Sequence, residues 1–196
     1  MLVFDKKIEE EIYSILLKRS KDVDKYFSIQ KMFNEGLLDI EFEKKFRQFY
    51  RMNTAGLTQD HFKVYFKHLK NKESDLVKIL TDLYNIKTLR GSHSLQFSFT
   101  TKLLHTIDNN LPIFDKFISS YFSIANPNDF GLSLDKRLEK RQEMYCELVS
   151  SYKKLLLDKQ VCKTIQDCRS RLSWPGDMIS DIKVLDFMLW ANGQIK

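Results

Sequence analysis

Apolar residues recur along this chain at intervals of three and four, the spacing that lines up one face of an α-helix. Between Asp5 and Lys18, Ile8, Ile12, Ile15 and Leu16 form such a stripe, and Glu9, Glu10 and Glu11 sit near the start, where the helix dipole favours acids. The same rhythm predicts a helix over Asp22–Asn34, with Val23, Tyr26, Phe27, Ile29 and Phe33 inward and Gly36 as its stop. A third runs from Phe42 to Met52 on Phe42, Phe46, Phe49 and Tyr50. Thr58 caps a fourth with the stripe Phe62, Tyr65, Phe66 and Leu69, and Ser74–Tyr84 is a fifth. Two shorter helices, Phe97–Ile107 and Lys116–Phe122, flank Asp108-Asn-Asn-Leu-Pro. Ser133 opens a long helix to about Leu157, and Lys159–Leu172 and Ile179–Asn192 close the chain on either side of Trp174-Pro-Gly.

Loops are expected at Leu89–Leu95 and at Asn126-Pro-Asn-Asp-Phe-Gly. Strand-like alternation is weak; Leu95–Thr100 comes nearest and runs directly into a helical pattern. No internal repeat, low-complexity tract or long linker interrupts the chain. The expectation is therefore one all-α domain over residues 1–196, a two-lobed helical bundle with a cleft near residues 91–122. Composition agrees: 6 Gly and 3 Pro in 196 residues leave little material for the turns of an all-β or doubly wound fold.

Charge adds a partner class. The formal net charge is +6, which suits a polyanion without requiring one. Basic residues interleave with aromatics between Lys44 and Lys72, a face that would follow a phosphate backbone or simply be solvated. On the later helix Lys136, Arg137, Lys140 and Arg141 are balanced by Glu139, Glu143 and Glu147 and read as a solvated face. Cys146, Cys162 and Cys168 form no CxxC pair and read as small core hydrophobes in a reducing compartment, with neither a disulfide framework nor a metal site. The N-terminus turns charged at Asp5, so no signal-peptide core is expected, and no apolar run approaches the ~20 residues of a membrane span. Together these readings lead us to expect a cytoplasmic protein with no membrane partner and no cofactor.

The chemistry is concentrated between Gln96 and Phe122. Lys102 falls in the first turns of one helix, and Asp115 sits where it would cap the next. A lysine near a helix N-terminus feels a positive dipole, and desolvation favours its neutral form, the nucleophile that Schiff-base chemistry needs. A carboxylate beside it could deprotonate it or stabilise a cationic sugar. The same residue types also make an ordinary cap and a surface lysine.

The order Thr101-Lys102, helix, then Pro112-Ile113-Phe114-Asp115 resembles the helix-hairpin-helix DNA glycosylases, the superfamily of 8-oxoguanine glycosylase and endonuclease III, and within it the short bacterial members. Phe49-Tyr-Arg-Met-Asn-Thr-Ala-Gly-Leu upstream and Ser180-Asp-Ile-Lys-Val-Leu-Asp-Phe-Met-Leu-Trp at the end are similar to those members too. The resemblance implies a monomer on duplex DNA that flips one damaged or modified nucleotide into a pocket. Asp115 would stabilise the oxocarbenium-like sugar. Lys102 would attack C1′ and form a Schiff base, or would orient the site while water attacks. The family's hairpin glycines would fall at Ser98 and Thr100 and its proline at Phe97, so the hairpin is degenerate. The interval from Lys102 to Asp115 is shorter than in well-known members, and no terminal four-cysteine run provides for an iron–sulfur cluster.

Around this pair the resemblance and the loop pattern nominate DNA contacts at Arg51, Asn53, Ser92, His93, Ser94, Ser98, Thr100 and His105. Asn53 sits where a wedge residue would stand, although a helix cap explains it as well. His105, on the same helix face as Lys102, could tune that lysine or meet a phosphate, or be a satisfied core histidine. Trp174 and Trp190 read as core aromatics. Two other classes remain open: a non-catalytic nucleic-acid-binding module and a helical protein-interaction domain.

Overall fold

The computed structural model describes residues 5–176 and 179–195, so Met1 to Phe4 of the N-terminal reading lie outside the described residues. Within them the chain is all-helical, with ten α-helices and no strand. In order they are α1 (Lys6–Lys18), α2 (Ser20–Asn34), α3 (Ile40–Phe49), α4 (Gln59–Lys70), α5 (Leu76–Tyr84), α6 (Phe97–Ile107), α7 (Lys116–Tyr121), α8 (Leu134–Leu155), α9 (Lys159–Arg171) and α10 (Asp181–Asn192). The predicted third helix ends early, and Met52–Thr54 form a separate 3-10 turn because Arg51 adopts a left-handed conformation (φ 55°). No described helix is long and apolar enough to cross a membrane.

Helix starts are set locally. Asp5, Asp39, Asp75, Asp115, Asp158, Ser133, Ser180 and Thr58 each place a side-chain oxygen on first-turn N–H groups that would otherwise lack partners. Each such cap is worth about 1 kcal/mol. Apart from α2, which continues directly out of α1, the exception is α6. Its preceding residue, Gln96, makes no capping hydrogen bond.

Packing links the helices in three sets. α5 packs on α4, α6 and α8, and α3 packs on α2; α10 packs on α1, α7 and α9. One continuous apolar core joins them, with Tyr26 of α2 at the junction. The Tyr26 ring meets Phe49 of α3, His105 of α6 and Phe187 of α10. α10 is buried nearly all round, from Ile182 to Leu189, which makes it the central strut for α7. Its C-cap, Gly193, lies so close to Phe117 that a Cβ there would come within 2.4 Å of the ring. Only glycine permits that approach.

The structure corrects two readings of the chain. Arg141 is buried, not solvated, and forms a bidentate pair with Asp129 (3.2 and 2.7 Å) that pins the 126–131 loop to α8. Among the cysteines only Cys168 is buried; Cys162 is half-buried and Cys146 is exposed. The loop expected at Leu89–Leu95 lies within a longer connection, residues 85–96, whose turn is closed by Thr88 and Ser92.

Candidate functional site around Lys102 and Asp115

The first turn of α6 is tied to the segment before α7 by two hydroxyls. Ser98 donates to the Phe114 carbonyl (2.9 Å), and Thr101 accepts from the Phe114 N–H (3.0 Å) while donating to the Ser98 carbonyl. Tyr145 of α8 donates to the Pro112 carbonyl (3.2 Å). Pro112, Ile113 and Phe114 are all buried. Through this clamp residues 112–115 run against α6, and Asp115 is delivered to the start of α7 in the neighbourhood of Lys102.

Asp115 is half-buried, and its Oδ1 accepts from the N–H groups of Phe117 (2.8 Å) and Ile118 (2.9 Å). Its second oxygen has no hydrogen-bond partner among the described residues. Lys102 Nζ lies over the rings of Phe99 (4.7 Å) and Tyr50 (5.6 Å), and no carboxylate among the described residues lies within ion-pairing distance of it. Burial is the main cause that lowers the Lys102 ammonium to about 8, with Asp115 opposing that shift, Lys183 adding to it and Asp186 opposing it. The aromatic faces compensate part of the lost hydration.

Behind Lys102 lies a buried polar cluster. Lys183 and Asp186, one turn apart on α10, pair at 2.6 Å with both residues almost fully buried. Tyr152 of α8 donates to Asp186 (3.3 Å), and Lys183 Nζ sits over the Phe187 and Tyr26 rings. Burial raises the Asp186 carboxyl against the pull of Lys183. The sequence places Lys183 and Asp186 on a helix but does not show that they form a buried pair, because periodicity leaves open which face is inside.

Two nominated DNA contacts are contradicted by burial. His105 is fully buried; its Nδ1 donates to the Leu111 carbonyl (2.6 Å), and its Nε2 accepts from the Tyr26 hydroxyl (3.1 Å). Burial lowers its basicity to about 3, so it is a neutral core group that fixes the turn before residue 112. Thr100 is equally buried and spends its hydroxyl on the Gln96 carbonyl. Ser98 is half-buried, and its hydroxyl is committed to Phe114.

The remaining nominees share one exposed edge. Arg51 and Asn53 are exposed on the turn after α3, and Ser92, His93 and Ser94 are exposed before α6. The Leu89 N–H donates to the Gly56 carbonyl (2.9 Å), which joins the two loops. His93 is anchored by its Nδ1 to the Tyr84 carbonyl (2.7 Å), leaving Nε2 available, whereas Ser92 is turned toward Thr88. Tyr50, whose ring underlies Lys102, immediately precedes Arg51. Trp174 and Trp190 are half-buried against the core.

Among the described residues no group of His, Cys, Asp and Glu is arranged to hold a metal ion. No protein-family model, curated protein or solved structure matches the chain.

Proposed function

We propose that the protein is a DNA glycosylase acting on a damaged or modified base, with Lys102 as nucleophile and Asp115 as the carboxylate that stabilises the sugar. One observation carries this reading. Among the described residues, an amine without an ion-pair partner rests on two aromatic faces, and a half-buried carboxylate with one unbonded oxygen stands at the start of the next helix. A lysine lowered to about 8 has an appreciable neutral fraction near neutral pH, which attack on C1′ requires. The bond from C1′ to the base breaks with its electron pair leaving on the base, the base takes up a proton, and Lys102 Nζ bonds to C1′. Ring opening then gives the Schiff base. Asp115, held by two backbone N–H groups, offers its second oxygen to the positive charge that develops on the sugar.

Binding would use the exposed edge bearing Arg51, Asn53 and His93, beside the uncapped start of α6, where first-turn N–H groups have no side-chain acceptor. The net charge of +6 suits a polyanion partner.

The test is borohydride trapping on a panel of duplexes, each with one modified base. A covalent adduct that forms with the wild type and disappears in Lys102→Gln supports the reading. Salt-sensitive DNA binding with no adduct and no base release on any substrate favours a non-catalytic nucleic-acid module. Absence of binding favours a protein-interaction domain.

A further inference from the structure

A groove of about 610 Å³ runs between α3 and α4, and none of its lining residues belongs to α6 or α7. Its rim is cationic. Lys63, Lys67 and Lys70 stand on one side of α4 at positions i, i+4 and i+7, a row about 10 Å long at the helical rise. Arg47 faces them from α3, with its guanidinium on the Phe62 ring at 4.7 Å.

The charges there are incompletely matched. Lys63 is paired with Asp60 (2.8 Å) and Lys70 with Glu43 (2.9 Å). Among the described residues Lys67 and Arg47 have no carboxylate within ion-pairing distance, and the buried Nε of Arg47 has no hydrogen-bond partner. Phe62 and Phe66 form the floor, and Ile40 stands at the edge with 73% of its surface exposed.

The floor decides between two classes of anion. A single nucleic-acid strand needs open aromatic faces for its bases. Here Phe66 is only 2% exposed, and Phe62, at 7%, is covered by Arg47. What remains open is aliphatic, at Ile40, at one end of a groove that also holds Arg47 and Lys67, two cations without a carboxylate partner among the described residues. That combination fits carboxylates flanking an aliphatic side chain. We propose that the α3–α4 groove docks a short acidic segment of a partner protein, seating a Leu or Ile beside Ile40 with Asp or Glu on Arg47 and Lys67. This inference stands apart from the chemistry at Lys102.

The probe is a display library of random 12-residue peptides, selected on the wild-type protein and counter-selected on Lys67→Glu, an exposed position where the charge reversal leaves the core intact. Enrichment of sequences carrying at least two acids around Leu or Ile is expected. The best of them, fluorescein-labelled, should bind Lys67→Glu at least about tenfold more weakly, as a like-charge contact requires. Ile40→Ser should weaken it as well, and Arg47→Glu is read only if its urea unfolding midpoint matches the wild type. A consensus without acids, no peptide that distinguishes the two proteins, or preferential binding of a dT12 oligonucleotide in the same groove would each overturn the proposal. Borohydride trapping by Lys67→Glu should equal the wild type, so failure at the groove is separable from failure at Lys102.

Discussion

Replacing Asp115 by Asn should make Lys102 more readily deprotonated while abolishing base excision. Asn is as good an N-cap as Asp, so its amide oxygen can keep accepting from Phe117 and Ile118, and α7 should retain its start. The negative charge is what is lost. Asp115 is the main group holding the Lys102 ammonium up against desolvation, with Asp186 a smaller contributor on the same side. At about 8, roughly one Lys102 in ten is neutral at pH 7, against about one in 3,000 for an ordinary lysine. Asp115 is half-solvated, so the low end of an opposite-charge effect applies, about one pH unit, and the neutral fraction at pH 7 should rise about fivefold. The assay is reductive ¹³C-methylation of the lysines and NMR titration between about pH 6 and 11, with the Lys102 signal assigned by its loss in Lys102→Arg. Urea unfolding should differ from wild type by less than about 0.5 kcal/mol. A wild-type Lys102 that titrates near 10.5, or an Asp115→Asn protein in which it titrates higher, would refute the electrostatic account.

Acid should destabilise the protein through His105. The unfolded imidazole takes a proton near 6.5 and the folded one only near 3, so stability falls as pH drops through that window, and His105→Gln should flatten the slope measured by urea unfolding. Lys183→Met leaves the Asp186 charge buried and unpaired and should cost about 3–5 kcal/mol, much of it recovered when Asp186→Leu is added; equal stability of the single and double variants would contradict the pair. Gly193→Ala drives a Cβ into Phe117 and should destabilise by about 1–3 kcal/mol, with NMR shifts spreading into the α7 turn that carries Asp115. Arg51→Gly removes a left-handed non-glycine residue and should stabilise by about 1 kcal/mol, yet weaken DNA binding and reduce its salt dependence if that edge meets phosphate.

Nearly all of the helix plan is legible in the sequence, because helix starts and stripes are local. Thr58, Asp115 and Ser133 are caps by residue type and by the apolar stripe that begins just after each, and the structure places all three at helix starts. The early end of α3 was not legible: Arg51 takes a glycine-like conformation that its side chain does not announce. Motif order nominates Lys102 and Asp115 as the candidate pair, and their positions on α6 and at the start of α7 follow from the helix pattern. Their clamp and their polar backing were not legible.

The sequence alone therefore determined an all-α chain and, to within about two residues, where most of its helices begin; α2, α3, α5 and α10 start at Ser20, Ile40, Leu76 and Asp181 rather than at Asp22, Phe42, Ser74 and Ile179. Tertiary structure decided which polar residues face inward. His105 and Lys102 lie one helical step apart on α6, yet one is sealed between Tyr26 and Leu111 and the other stays partly open over Phe99 and Tyr50. Periodicity places a residue on a helical face, but only the packing of α2, α8 and α10 around α6 and α7 decides whether that face meets water, an aromatic ring or a buried charge. Lys183, Asp186 and Arg141 illustrate the point: each has the residue type of a solvated surface and is buried because its partner, Asp186, Lys183 or Asp129, is placed to receive it.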